Sequence, residues 1–219
     1  MPALTGRYRL RAWLEMLFVD HAIFRLFFNR RCCIAPNAYR SSHPLPCQVR
    51  AGARAGVRTI LNLRGPDPGN ASNRLEWEAA RACGVQVLHL SLNSRDAPEV
   101  ADLLGLVEIF RHAEAPLWLH CKSGADRAGL AATVYQLAVV GKPLREARRE
   151  LSLWRHGHVR QAKTGILDHF FDCYAAAQAR DGVGFLQWLV DSYDRDAVRR
   201  SFRERWWASV VVDRLLRRE

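Results

Sequence analysis

The chain has 219 residues, of which 49% are hydrophobic and 25% charged, so its composition suits one globular domain with appendages. Its six cysteines show no paired Cys-x-x-Cys spacing and no secretory signal is recognised, so we predict no zinc site, no disulfide framework and no cofactor. A net charge of +11, carried mainly by arginine, predicts an anionic partner; nucleic acid is not expected, because basic and aromatic residues form no recognised binding motif.

The first predicted element is an apolar helix over residues 8–28. Its polar stripe is narrow, so protein or lipid must cover the rest of its surface. Glu15, Asp20 and Arg25 interrupt the apolar run, which excludes a membrane-spanning helix. We expect this helix to pack on the domain, and the alternative is that it lies on a membrane surface.

Two strands are predicted next. Residues 34–44 are expected to form an edge strand that ends in a turn, because Pro36 and Pro44 disfavour a central position. Residues 57–64 form a central strand that stops at a Gly-Pro-Asp-Pro-Gly turn, with Arg64 at its carboxyl end.

Helices over 72–83 and 98–112 then alternate with strands over 85–92 and 116–120. This alternation predicts an α/β fold with a mostly parallel central sheet of four to five strands, flanked by helices. Ligands of such sheets bind beyond the carboxyl ends of the strands. The residues predicted at this edge are Arg64, Asp67, Arg95, Asp96 and Cys121.

The loop after the last strand reads His120-Cys121-Lys122-Ser123-Gly124-Ala125-Asp126-Arg127 and opens a helix. Unpaired backbone N–H groups and the helix dipole at such a place bind anions. The same field stabilises a thiolate at Cys121, and the guanidinium of Arg127 can hold two phosphate oxygens. Gly124 permits a turn closed to other residues, and His120 can donate a hydrogen bond within the loop. We therefore predict that residues 120–125 surround a phosphate group.

The His-Cys-x5-Arg spacing, followed by Gly129, resembles the signature loop of the cysteine-dependent phosphatase superfamily. The resemblance is greatest to the atypical dual-specificity and bacterial tyrosine phosphatases. It implies a cysteine-phosphatase domain over residues 31–180, an apolar N-terminal helix over 1–30 and a basic helical extension over 181–219. It also implies a cytoplasmic location, with peripheral membrane contact through the terminal helices as an alternative.

The resemblance implies a metal-independent reaction in which a phosphate monoester of a protein is hydrolysed through a phosphocysteine at Cys121. Asp96, in the loop ahead of the motif, is the first candidate for the general acid. The alternative is Asp126, because myotubularins also carry an aspartate just before the motif arginine. Ala128 stands where many members have a hydroxyl residue, and we expect a slower second step as a result.

The substrate is less closely defined. Lys122 adds charge to the loop, as in similar phosphatases that act on inositol phosphates or phosphoinositides, so a phosphorylated small molecule or lipid is the alternative substrate. Arg64 and Arg95 either grip a second phosphate or neutralise Asp67 and Asp96. A weakly active phosphate-binding module is a further alternative.

Helices are predicted over 144–154, 164–179, 185–193 and 197–218. The segment 155–160, which contains two histidines, is expected to be a solvated loop, with contact to the substrate pocket as the alternative. The last helix carries tryptophans among arginines, for which we expect core packing with a solvated face; a membrane or partner surface is the alternative.

Overall fold

A five-stranded sheet lies at the centre of the protein. The computed structural model describes residues 6–23, 31–160 and 163–203. The strands are β1 (Cys32–Ala35), β2 (Ala38–Ser41), β3 (Thr59–Asn62), β4 (Gln86–His89) and β5 (Leu117–His120). Their order is β1-β2-β5-β3-β4, and only the β1–β2 pair among them is antiparallel. The predicted α/β fold with a mostly parallel central sheet is confirmed.

Helices connect and surround these strands. The helices up to the one that follows β5 in the chain are α1 (Gly6–Leu14), α2 (Pro46–Arg54), α3 (Ala71–Ala82), α4 (Val100–His112) and α5 (Asp126–Ala138). After it come α6 (Leu144–Ala147), α7 (Leu153–His156), α8 (Ile166–Asp181), α9 (Phe185–Asp191) and α10, which covers residues 195–203. No helix among the described residues is long and apolar enough to cross a membrane.

Side-chain alternation along β5 divides the core between the two faces of the sheet. Leu117 and Leu119 point into the main cluster, which includes Leu106 of α4. Trp118 points to the other face, where it packs in a cluster with Val49 of α2. Both faces of the sheet are therefore covered, which explains why all four residues of β5 are buried.

The prediction of one edge strand over 34–44 is wrong. The segment forms a hairpin, in which β1 is the edge and β2 lies inside the sheet between β1 and β5. Pro36 falls in the turn between the strands and Pro44 lies beyond β2, so neither proline removes a hydrogen bond from the sheet.

The N-terminal helix is shorter than predicted. α1 continues into a π-helical turn over Glu15–Val19 and ends at Asp20. Ala12 and Met16 are buried in a small cluster that includes Leu75 of α3, so this segment packs on the domain. Residues 24–28 and 204–218 of the predicted terminal helices lie outside the described residues. The division into segments 1–30, 31–180 and 181–219 stays a prediction.

Candidate active site

The loop between β5 and α5 wraps around the sulfur of Cys121. Cys121 is only 2% exposed, and the backbone N–H of Gly124 donates a hydrogen bond to its Sγ at 3.2 Å. Gly124 has φ +81°, and a Cβ built on it would lie 2.6 Å from the backbone nitrogen of Ser42. Only glycine fits this turn, which brings its backbone N–H to the sulfur.

The side chain of Arg40 binds the backbone of the loop, a role that the sequence analysis did not identify. This arginine is 1% exposed and donates hydrogen bonds to the carbonyl oxygens of Gly124 at 2.5 Å and Ala125 at 3.1 Å. A trans peptide directs its C=O and N–H to opposite sides. The N–H groups of Ala125 and Asp126 therefore point away from Arg40. The charge of Arg40 is balanced by Glu150, at 2.7 Å.

His120 is held by a buried carboxylate. Its Nε2 lies 2.5 Å from Oε1 of Glu76, and both side chains are fully buried. Burial would raise the pKa of Glu76, but His120, His43 and a hydrogen bond from Asn62 outweigh it and lower the pKa to about 2. These two histidines and Glu76 are close enough to suggest a metal site. Ligand atoms on one zinc ion stand about 3.3 Å apart, so the 2.5 Å contact between His120 and Glu76 does not match zinc ligation.

The remaining charged and polar residues of the motif are more exposed than Cys121. Lys122 and Ser123 are exposed, and Asp126 and Arg127 are half-buried. Within the part of the chain that is described, no carboxylate pairs with the guanidinium of Arg127. Its donors are therefore available to an anionic ligand.

Asp126 is bound by a buried histidine. Nδ1 of His158 lies 2.7 Å from Oδ1 of Asp126, and its Nε2 lies 2.7 Å from Oδ2 of Asp168 on α8. Burial alone would lower the pKa of His158, but both carboxylates outweigh it and raise the pKa to about 9. The prediction of a solvated loop over 155–160 is therefore wrong at this position, because His158 is only 2% exposed.

The pKa of His156, the other histidine of this segment, is shifted in the opposite direction. Burial, together with the charges of Arg40 and Arg155, lowers the pKa of His156 to about 4. His156 is therefore neutral at pH 7, whereas His158 is charged.

Asp96 is bound by two arginines of α10. Arg199 donates to both carboxylate oxygens, from Nε at 2.7 Å and through a second short contact, and Arg195 donates at 3.0 Å. The hydrogen bonds from Arg199, against a smaller effect of burial, lower the pKa of Asp96. Arg95 and Asp96 line a cavity of about 480 Å³ together with Lys163 and residues of α10, and the described residues lining it do not include Cys121.

Neutralisation of Asp67 and Asp96 by Arg64 and Arg95, one of the two alternatives for these arginines, is not seen among the described residues. Arg64 pairs with Asp20 at 2.9 Å, and the partners of Asp96 come from α10 instead of Arg95. Asp67 accepts hydrogen bonds from the backbone of its own turn, at Gly69 and Asn70. The sequence showed these charges but not which would meet, because each partner is distant along the chain.

Comparison with known proteins places the site in a family context. The model of a family described as "DSP-PTPase phosphatase fused to NAD+ Kinase" matches residues 52–164. This range contains β3, β5, the loop from Cys121 to Arg127 and His158.

Curated and solved proteins show the same likeness. The chain is 27% identical over 157 residues to the dual specificity protein phosphatase TpbA of Pseudomonas aeruginosa PAO1. This match covers 71% of the chain and 63% of TpbA. The crystal structure of TpbA superposes with a TM-score of 0.51 at 22% identity, over 76% of this chain and 86% of that one. The active form of Tk-PTP gives 0.50 at 25% identity, over 67% and 99% of the two chains. The chain thus spans less than two thirds of the length of TpbA.

Proposed function

Because this chain belongs to the family described as DSP-PTPase phosphatase fused to NAD+ kinase, we propose that it is a cysteine-dependent phosphatase of the dual-specificity type. Its substrates are phosphate monoesters of proteins, on tyrosine or serine, as the likeness to TpbA supports. The observation that carries the proposal is the loop itself, in which Gly124 N–H binds the buried sulfur of Cys121 at 3.2 Å.

The reaction begins when the thiolate of Cys121 attacks phosphorus in line with the ester oxygen. A sulfur–phosphorus bond forms and the phosphorus–oxygen bond to the leaving group breaks. N–H groups of the loop and the guanidinium of Arg127 hold the three equatorial oxygens. Water then attacks the phosphocysteine, which releases inorganic phosphate and restores the thiolate.

The leaving oxygen needs a proton, and Asp126 with His158 is better able to supply it than Asp96. The guanidinium of Arg199 does not give up protons, so the pair that it forms with Asp96 has none to transfer. His158, with a pKa of about 9, brings a proton to its hydrogen bond with Asp126 at neutral pH. We therefore assign the acid to Asp126, in place of the first candidate of the sequence analysis.

The proton balance closes over the two steps. Asp126 gives a proton to the leaving oxygen and His158 is left neutral, with its remaining proton on Nε2 towards Asp168. In the second step the carboxylate of Asp126 takes a proton from the attacking water, and His158 recovers its charge. Ala128 is buried directly after Arg127 and offers no hydroxyl to the departing sulfur, so we expect this second step to be slower than in members that carry a hydroxyl there.

A substrate panel tests the proposal. It contains p-nitrophenyl phosphate, phosphotyrosine and phosphoserine peptides, and phosphoinositides in vesicles. The wild type is expected to hydrolyse the aryl phosphate and the phosphotyrosine peptide, with inhibition by vanadate. Cys121→Ser is expected to reduce turnover by about a thousandfold or more.

Cys83→Ser is the matched control, because Cys83 is an exposed cysteine outside the loop. Turnover that survives in Cys121→Ser overturns the proposal. Hydrolysis of phosphoinositides alone, with no activity on either peptide, overturns the assignment of protein substrates.

A further inference from the structure

A carboxylate from the N-terminal segment reaches the signature loop. The π-helical turn over Glu15–Val19 ends at Asp20, whose N–H bonds the carbonyl oxygen of Glu15 at 3.0 Å. The next residue, His21, has φ +55°, which reverses the chain direction here. Asp20 thus stands at a sharp bend and not in the middle of the helix that the sequence predicted.

The side chains that contact Asp20 include those of Arg64, Ser72 and Lys122. The guanidinium of Arg64 donates two hydrogen bonds to its carboxylate, at 2.9 and 3.2 Å. Ser72 Oγ donates a third, at 2.7 Å, and Nζ of Lys122 lies 3.3 Å from Oδ1. The Asp20 side chain is 11% exposed, so these contacts are partly shielded from water.

The two cations that meet Asp20 belong to the carboxyl edge of the sheet. Lys122 directly follows Cys121, and Arg64 lies just beyond the end of β3, the strand that pairs with β5. A carboxylate that bridges a lysine and an arginine takes the position that an anionic group of a ligand would otherwise take. Among the described residues, Asp20 is the carboxylate that pairs with these two cations.

We propose that Asp20 is a specificity-determining residue that disfavours substrates with a second phosphate next to the scissile one. It does so by occupying Arg64 and Lys122 and by repelling a second anion from them. The inference rests on the proposed function, since it concerns substrates of the same site. The N-terminal segment then contributes to substrate specificity as well as to the packed core.

The test compares two peptides that differ by one phosphate: a phosphotyrosine peptide, and the same peptide with phosphoserine beside the phosphotyrosine. Dephosphorylation of tyrosine alone is followed. The wild type should show a lower kcat/KM for the doubly phosphorylated peptide. Asp20→Asn keeps the shape of the side chain and should shift the ratio of the two values by about tenfold towards that peptide.

Two further variants define the source of the shift. Glu15→Gln is the matched control, because Glu15 lies on the same segment but pairs only with the exposed Arg11; its ratio should equal that of the wild type. Adding Lys122→Gln to Asp20→Asn should return the ratio towards the wild-type value. An Asp20→Asn ratio equal to that of Glu15→Gln overturns the inference.

Binding separates this inference from the proposed function. In the Cys121→Ser background, Asp20→Asn should tighten the dissociation constant of the doubly phosphorylated peptide by about tenfold relative to the singly phosphorylated one. Turnover lost in every variant, with this shift in binding present, contradicts the proposed function and supports the inference. If turnover is present and no shift in binding is found, the proposed function is supported and the inference about Asp20 is contradicted.

Discussion

Two aspartates are candidates for the general acid, and their partners differ in one decisive respect. Asp96 is bound by Arg199 and Arg195, whereas Asp126 is bound by His158. An arginine stays charged, so it fixes its partner as a carboxylate. A histidine can give up its proton, and His158, with a pKa of about 9, carries one at pH 7 that it can pass to its partner. Whether an aspartate can serve as the general acid therefore depends on its partner as much as on its position in the sequence.

The two environments also differ in how they are built. Asp96 lies in a loop held by further bonds, from Tyr193, which precedes α10, to the carbonyl oxygen of Pro98 and from Arg195 of α10 to that of Ala97. Asp126 opens α5, and its histidine is tied to α8 by Asp168. The first arrangement fixes a surface loop, and the second joins the signature loop to the core.

The largest expected effect separates the two acids. Asp126→Asn should lower kcat by about a hundredfold for a substrate with a poor leaving group, such as phosphoserine or phenyl phosphate, because the leaving oxygen no longer receives a proton. The loss should be smaller for p-nitrophenyl phosphate, whose leaving group needs little protonation. Asp96→Asn should lower kcat less than tenfold for both.

Steady-state kinetics over the two leaving groups measure this difference. Asp67→Asn is the control, since its side chain bonds only the backbone of its own turn among the described residues. A hundredfold loss in Asp96→Asn with a small loss in Asp126→Asn contradicts the assignment and returns the acid to Asp96.

The second effect is a pH dependence of stability that comes from His158. Its pKa is raised from 6.5 to about 9 on folding, so its stabilising contribution is full below pH 6.5 and is lost as the pH rises to 9. The shift corresponds to about 3 kcal/mol of the free energy of unfolding for this buried side chain. Urea unfolding at pH 6.5 and pH 9 should show this decrease in the wild type.

His158→Gln keeps one hydrogen bond but has no titrating group, so its free energy of unfolding should change much less between these pH values. His112→Gln is the matched control, because His112 is an exposed histidine of α4. Equal pH dependence in the wild type and His158→Gln would show that the imidazolium is not held between the two carboxylates.

The smallest effect concerns the arginine partner of Asp96. Arg199→Gln removes the hydrogen bonds that lower the pKa of Asp96, so that pKa should rise, as measured by NMR titration of the carboxyl carbon. Turnover should change by about twofold or less, because Asp96 is not the acid. Arg200→Gln, which alters an exposed arginine on the same helix, is the control. A large loss of turnover in Arg199→Gln alone would show that the Asp96 loop takes part in the reaction.

Local patterns predicted the sheet, its connections and the loop from His120 to Arg127. These depend on residues close together in sequence: a buried strand, a glycine turn and a helix start. Arg40 was not recognised, Asp20 was noted only as a break in the first helix, and contact of His158 with the pocket was only the alternative, because each acts on a residue distant along the chain. Arg40 reaches Gly124, 84 residues later, only because β2 pairs with β5 in the interior of the sheet. The proline-based prediction of an edge strand excluded that arrangement.

The choice between Asp96 and Asp126 also lay beyond the sequence. Both aspartates precede or lie within the motif, and both have basic residues as neighbours along the chain. The partner of Asp96 is 103 residues away and that of Asp126 is 32 residues away. Only packing of the helices on the sheet decides which base meets which acid.

The central claim is that Cys121 is the nucleophile held by the signature loop. The most direct measurement is rapid acid quenching during turnover of a phosphotyrosine peptide, followed by mass spectrometry of the digested protein. The account predicts phosphate on the sulfur of Cys121, at a level that rises when the second step is slow and falls in Ala128→Ser. Phosphate on another residue, or full turnover with no phosphorylated Cys121 at any quench time, would contradict it.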